Sequence, residues 1–305
     1  MKKDVCLKKI LGLVLLAFLL GNPCVWGAES AGESYMKGVD YGQKGKTGAA
    51  IKEFSKAIES KPDFAEAYYS RGLMYYTKGK GDKAFADFNK ALELKPLPEA
   101  YFYRASLYDA RQDLDRALSD YSEAIKIKPD LAPAYSGRGI IYSRKGDFDP
   151  ALSDFQKVIE IRGASSTGSD YYLRGKAYLS KKVFDQAILD YNKSLELDPK
   201  NVSAYCDRGW AYQEMGDLKK AIEDDTQALS LDSKYSWAYY DRALAFFRTG
   251  DLKSALSDYK KAVKLDIRGA ADAYQEFLKH EGTAKGPEAP QTVQAIRDLL
   301  SSHQR

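Results

Sequence analysis

Histidine is almost missing from this chain of 305 residues: His280 and His303 are the only two, both near the C-terminus. Everything before them lacks the commonest general acid–base and metal-binding side chain. Cysteine is nearly as scarce, with Cys6, Cys24 and Cys206. If an N-terminal segment is removed, Cys206 stands alone and no internal disulfide is possible. A phosphate loop is also lacking. Gly45-Lys46-Thr47 has the ending of one, but the place of its leading glycine is held by Asp40 and no strand precedes it. Charge of one sign is not in excess. The formal net charge is +4, and the first 27 residues carry Lys2, Lys3, Lys8 and Lys9 against Asp4, which leaves about +1 for the rest. That gives no electrostatic footprint for nucleic acid. Acidic pairs are numerous, but on helix surfaces these are solvated faces. No catalytic constellation, metal-ligand cluster or cofactor motif is legible, so the expectation is a non-catalytic protein without cofactor or metal.

Long apolar runs are absent with one exception. Ile10 to Leu20 is an eleven-residue run after the N-terminal lysines, broken by Gly21-Asn22-Pro23. It is shorter than the ~20 residues of a comfortable membrane span. Val25 and Gly27 suit the small-residue rule for cleavage after Gly27, so 1–27 reads as a signal peptide. Pro23 before Cys24 argues against a lipoprotein signal. The chain is therefore expected to be exported, to the periplasm if bacterial and otherwise secreted. The alternative is membrane attachment through an uncleaved anchor at 10–26.

What the chain has in quantity is repetition, with a period near 34 residues and seven copies. An aromatic is followed four residues later by a small residue and then by a second aromatic: Tyr68, Gly72, Tyr75; Tyr101, Ala105, Tyr108; Tyr135, Gly139, Tyr142; Tyr171, Gly175, Tyr178; Tyr205, Gly209, Tyr212; Tyr239, Ala243, Phe246. A degenerate first copy has Ser34, Gly38, Tyr41. A second half-pattern follows each, as in Ala84, Phe88, Ala91 and Ala255, Tyr259, Ala262. Both halves have the i, i+4, i+7 spacing of one helix face. Gly79 and Gly81, and later Gly146-Asp147, Gly216-Asp217 and Gly250-Asp251, lie between the halves. Glycine there is expected to end the first helix and aspartate to cap the second. Pro150 suits the first turn of a helix.

These halves, with the closing prolines Pro62, Pro96, Pro129 and Pro199, resemble the tetratricopeptide repeat family. The resemblance implies an all-α fold, a right-handed α-solenoid of antiparallel helix hairpins. The array is expected over 31–269, as hairpins 31–64, 65–97, 98–131, 132–167, 168–201, 202–235 and 236–269. A capping helix at 270–281, a linker at 282–290 and a short amphipathic helix at 291–302 would follow. No single hairpin has core enough to fold alone, so neighbours must stack. The function implied is a protein-interaction scaffold.

One regularity is sharper than the family pattern. Arginine and aspartate recur sixteen residues apart: Arg71/Asp87, Arg104/Asp120, Arg138/Asp154, Arg174/Asp190, Arg208/Asp224 and Arg242/Asp258. The two are equidistant from the hairpin turn and lie about 60° to the same side of their apolar stripes. A ladder of two-pronged ion pairs is expected, a structural feature rather than an anion site, because a paired arginine has few donors left.

The positions one, five and eight after the first aromatic lie about 80–140° round the first helix, away from that ladder. The resemblance implies that this face lines a concave peptide groove. The partner-binding candidates are Tyr69, Leu73, Tyr76, Phe102, Asp109, Tyr172, Lys176, Trp210, Gln213, Trp237, Tyr240 and Phe247. Tyrosine and tryptophan are favoured at binding surfaces for the area they bury at little entropic cost. The family's carboxylate clamp, with lysines and asparagines gripping a peptide C-terminus, is matched in kind by Lys176 alone, so a chaperone-tail adaptor is not supported. The partner expected is a protein or peptide, with no nucleic acid. A cell-wall polysaccharide, or self-assembly into a homo-oligomer, is the alternative.

Two departures stand out. Gly163-Ala-Ser-Ser-Thr-Gly168 replaces a closing proline and lengthens that repeat to 36 residues, which reads as a flexible joint dividing the array four plus three. Asp225 takes a core aromatic position, where a carboxylate needs a polar partner.

Overall fold

A computed structural model describes residues 30–266, 270–280, 282 and 289–301. The expected signal peptide and most of the 282–290 linker lie outside the described residues. Among those residues there are sixteen α-helices and no strand. The chain forms two compact units that meet between Ile141 and Tyr142.

The first unit holds α1 (Ala31–Gln43), α2 (Thr47–Ser60), α3 (Ala65–Thr77), α4 (Gly81–Leu94), α5 (Pro98–Ala110), α6 (Leu114–Ile127) and the beginning of α7 (Ala132–Lys145). The second holds the end of α7, then α8 (Phe148–Arg162), α9 (Gly168–Ser180), α10 (Phe184–Leu197), α11 (Val202–Glu214) and α12 (Leu218–Leu231). It continues with α13 (Ser236–Thr249), α14 (Leu252–Leu265), α15 (Ala270–His280) and α16 (Ala289–Ser301). The division falls inside α7, not at 163–168.

Within each unit successive helices pair as antiparallel hairpins, and each hairpin packs on the next. The small residue of the first helix is what lets the pair close. A Cβ on Gly72 would lie 2.8 Å from Phe88 Cε1, and one on Gly175 would lie 3.0 Å from Tyr191 Cε1. The second helix supplies the ring and two alanines, and Ala84, Phe88 and Ala91 are wholly buried. Such a core has native packing density with little tolerance for added volume.

The turns between paired helices need a residue in the left-handed region. Gly146, Gly216 and Gly250 supply it, with φ of +83°, +84° and +89°. In two hairpins the turn holds no glycine, and Gln112 (φ +61°) and Lys182 (φ +63°) take that conformation. Gly81, expected in the turn, instead opens α4. Asp113, Asp217 and Asp251 each accept the backbone N–H three residues on and cap the second helix of their hairpins, whereas Asp147 makes no such bond.

The 163–168 segment is tied by local bonds rather than loose. Arg162 is paired with Asp170, whose Oδ2 accepts from the Thr167 backbone at 2.7 Å in a capping box that starts α9. The C-terminal α16 packs on α14 and α15 and buries Ile296 and Leu300 in the core of the second unit.

Five arginines fork their aspartate partners. Arg71 donates from Nε and Nη2 to the two oxygens of Asp87 at 2.9 and 2.8 Å. Arg104 with Asp120, Arg174 with Asp190, Arg208 with Asp224 and Arg242 with Asp258 repeat the geometry. Arg138 and Asp154 belong to different units, and their pairing stays an expectation; Asp154 is buried. A third bond was not foreseen. The Nη1 of each arginine reaches back to the second helix of the preceding hairpin: Arg71 to Ser55 (3.0 Å), Arg104 to Asn89 (2.8 Å), Arg138 to Ser122 (3.0 Å), Arg174 to Gln156, Arg208 to Asn192 (2.6 Å), Arg242 to Thr226 (3.0 Å). Each guanidinium also lies over the tyrosine three residues before it, as Arg71 does over Tyr68 at 5.6 Å.

Candidate binding groove in the second unit

The first helices of the last three hairpins, α9, α11 and α13, stand side by side and are closed at one end by α15. Between them runs a groove of about 610 Å³. Its walls are aromatic: Tyr172 from α9, Trp210 from α11, Trp237 and Tyr240 from α13, and Tyr235 just before α13. Lys176 and Leu179 edge it on α9, and Asp272, Gln275 and Glu276 enter from α15. Cys206, Asp207, Asp241 and Tyr259 also line it. Trp237 is 40% exposed and its ring lies 5.9 Å from that of Tyr240. Trp210 and Leu179 are shared with an adjoining recess of about 620 Å³ that carries Lys182, Arg248, Lys279 and His280. Glu214 and Glu276 also line that recess, so it is of mixed charge, whereas the groove itself is aromatic with more acidic than basic side chains.

Five of the twelve sequence candidates come together here: Tyr172, Lys176, Trp210, Trp237 and Tyr240. Tyr240 is also structural, because it is only 3% exposed and its hydroxyl donates to the Asp266 carbonyl at 2.7 Å. Two further candidates of this unit are corrected. Gln213 is wholly buried, its Nε2 donating to the Asp241 carbonyl at 2.9 Å, and Phe247 packs in the core 5.1 Å from the Phe277 ring.

In the first unit the same face is largely closed. Tyr69 and Leu73 are buried, with the Tyr69 ring 6.1 Å from Phe88 and 6.3 Å from Tyr103 of the next hairpin, so they are core residues and not binding residues. Tyr76 remains partly exposed with its ring edge-on to Tyr103. Phe102 is half-buried against Tyr121, and Asp109 is half-buried.

Sequence reasoning missed Ser203, Asp207, Tyr235, Asp241, Tyr259 and the α15 residues. A signal existed for two of them. Asp207 and Asp241 occupy the same repeat position, each immediately before a ladder arginine, where other copies have Ser70, Tyr103, Gly137 and Leu173.

Beneath the aromatic walls lies a buried polar cluster. The Cys206 thiol donates to Asp241 Oδ2 at 3.1 Å. Asp225, expected to have a polar contact, is wholly buried and neither carboxyl oxygen has a hydrogen-bond partner. The Tyr259 hydroxyl is likewise buried without one. Burial pushes the Asp225 carboxyl well above the usual carboxylate range and the Asp241 carboxyl up to about 7, and it raises the Cys206 thiol. The three donors that converge here, Cys206, Asp225 and Asp241, are of metal-ligating type, although they are scattered in sequence.

Models of the tetratricopeptide repeat match this chain at 38–79, 65–96, 105–146, 132–165, 175–216 and 206–270, so that only 97–104 and 166–174 between the first and last positions are uncovered. Among solved structures, a tetratricopeptide repeat protein from Parabacteroides merdae is 19% identical, with 90% of this chain and all of that chain aligned at a TM-score of 0.57. The C-terminal part of a TPR repeat-containing protein from Cytophaga hutchinsonii is 20% identical over 79% of this chain and 98% of that one, at 0.60. YrrB, described as a TPR protein with an unusual peptide-binding site, is 22% identical over 59% and 93%, at 0.51. At such identities the likeness is one of fold. No curated protein matches the chain. Seven in-phase copies, helix hairpins closed on small residues and the matching repeat models lead to one conclusion: the chain belongs to the tetratricopeptide repeat family, whose fold is that of a protein-interaction scaffold.

Proposed function

We propose that the groove of the second unit captures an extended or helical segment of a protein partner, and that the chain acts as a non-catalytic adaptor of the cell envelope. The observation that carries this reading is the concentration of Tyr172, Trp210 and Trp237 around one recess, with Asp207, Asp272 and Glu276 beside them. Rigid aromatic walls bury large area at low entropic cost, and the carboxylates select basic over acidic side chains. The segment that fits offers alternating apolar and basic residues. The peptide-binding site of YrrB is a precedent on the same fold. The apolar run at 10–20, read as part of a signal peptide, supports a partner outside the cytoplasm.

The test is an array of short synthetic peptides varied in charge and apolar content, probed with the wild type and with Trp210→Ala/Trp237→Ala. Tyr240 is left intact because its hydroxyl holds the Asp266 carbonyl. Basic–apolar peptides should bind at least tenfold more weakly to the variant at an unchanged melting temperature. Equal binding by both proteins would place the site elsewhere. Retention on purified cell-wall polysaccharide without peptide binding would favour a glycan ligand, and concentration-dependent size in solution would favour self-assembly.

A further inference from the structure

The ring position of the second helix is aromatic in six of the seven hairpins: Phe54, Phe88, Tyr121, Phe155, Tyr191 and Tyr259. In the sixth copy it is Asp225. This side chain has no solvent exposure, and both of its oxygens lack a hydrogen-bond partner. A carboxylate in that state is among the costliest groups a core can hold. No basic side chain is hydrogen-bonded to it. Arg242 acts on Asp225 only through space, because its guanidinium is committed to Asp258 and Thr226.

Asp225 is not alone. One donor atom each from Asp225, Asp241 and Cys206 lies within 4.8 Å of the other two. Among the described residues no other three His, Cys, Asp or Glu side chains gather their donor atoms so closely. Cys206 Sγ and Asp241 Oδ2 are already 3.1 Å apart. Around a tetrahedral zinc ion, with bonds of about 2.3 Å to sulfur and 2.0–2.2 Å to oxygen, neighbouring ligand atoms sit roughly 3.3–3.6 Å apart. Closing the triangle from separations of at most 4.8 Å takes an adjustment of little more than about 1 Å. Three helices supply the donors: α11, α12 and α13.

We infer that Cys206, Asp225 and Asp241 form a three-ligand site for a divalent metal ion of the zinc class at the base of the groove. The donor set selects the ion. A thiolate with two carboxylates suits a borderline-soft cation, whereas magnesium and calcium take oxygen ligands. Three protein ligands would leave a fourth position, and Cys206 and Asp241 both line the groove, so a groove ligand could reach the ion. The cation would supply the positive charge that the Asp225 site lacks. It would also convert the three helices into one cross-linked layer. The inference stands whether or not the groove takes a peptide.

The experiment uses the full chain, stripped with a chelator and titrated with Zn²⁺ by calorimetry, with Mg²⁺ and Ca²⁺ as comparison ions. Metal content after gel filtration gives the stoichiometry. One Zn²⁺ per chain is expected, with a higher melting temperature and no response to Mg²⁺ or Ca²⁺. Cys206→Ala and Asp225→Asn should each weaken Zn²⁺ binding at least tenfold. Asp225→Phe restores the residue type of the other hairpins and should abolish binding while remaining folded. Co²⁺ as a probe should give a thiolate-to-metal charge-transfer band in the wild type that is lost in Cys206→Ala. Unchanged Zn²⁺ affinity in Cys206→Ala, or a folded wild type that takes up no Zn²⁺ at micromolar concentration, would overturn the site. If Asp225→Asn fails to fold, the Cys206→Ala and Co²⁺ results decide.

Discussion

Replacing Arg71 by leucine should cost far more than the loss of a surface ion pair. The guanidinium is forked on Asp87, whose side chain is 8% exposed, and it also holds Ser55 of the preceding hairpin. Removing it leaves Asp87 with an uncompensated charge in a nearly dry site, which typically costs about 3–5 kcal/mol. Because a fifth of the Arg71 side chain is exposed, water offsets part of that, and the lower end, about 3 kcal/mol, is expected. Asp87→Asn keeps an acceptor for Arg71 and should cost about 1 kcal/mol. Arg71→Leu/Asp87→Leu removes both charges and should recover to within about 1 kcal/mol of the wild type. Asp87→Leu as the second single variant closes the cycle, and with a cost of about 1 kcal/mol or more for it the coupling is at least about 3 kcal/mol. Repeat arrays unfold locally, so the assay is native-state hydrogen exchange on fragments of α2, α3 and α4, supported by urea midpoints. A 3 kcal/mol loss speeds exchange there by roughly two orders of magnitude. A cost for Arg71→Leu below about 0.5 kcal/mol, or a double variant as unstable as the sum of the singles, would refute the reasoning, because either is the behaviour of a solvated surface pair.

Gly72→Ala places a Cβ 2.8 Å from Phe88 Cε1 and 3.1 Å from Asp87 Cβ, and should lower stability by about 2 kcal/mol; an unchanged melting temperature would show that the hairpin can open to admit a methyl group. Lys182→Gly should raise stability by about 0.5–1 kcal/mol, because a lysine at φ +63° bears a left-handed strain that glycine does not; a loss would mean that the strain is absent. Asp113 caps α6 and is held below its usual 3.8 by the Arg116 side chain, so its contribution is complete above the unfolded value and is lost as pH falls through the folded one. The stability gap between the wild type and Asp113→Ala, measured by urea unfolding, should therefore be full at pH 7 and shrink as pH falls below 3.8; a gap independent of pH would refute the charge-based cap.

The hairpins and the ladder were readable from one sequence because both rest on spacings internal to a repeat. A small residue opposite a ring, or arginine sixteen before aspartate, needs only helix geometry to interpret. Contacts between repeats were not readable in the same way. Tyr69 and Trp210 face similar directions on their own helices, yet Tyr69 is enclosed by Tyr103 of the next hairpin while Trp210 borders an open groove. What decides is the size of the neighbour's side chain, which a helical wheel does not contain. Glu276 was missed for a related reason, since it arrives on α15 from beyond the repeats. The turns at Gln112 and Lys182 carried no glycine signal, and the Asp225 position showed the oddity without its partners.

The backward reach of each arginine gives the ladder a direction. A hairpin brings its own aspartate with it, but the acceptor for its third guanidinium bond, such as Asn192 for Arg208, sits on the hairpin made before it. During synthesis that acceptor has already been made when the arginine emerges, so each hairpin offers a docking point to its successor. The same polarity sets a rule for transplanting repeats. A hairpin moved into another array carries its aspartate along, but it joins cleanly only behind a helix that offers serine, threonine, asparagine or glutamine at the matching height.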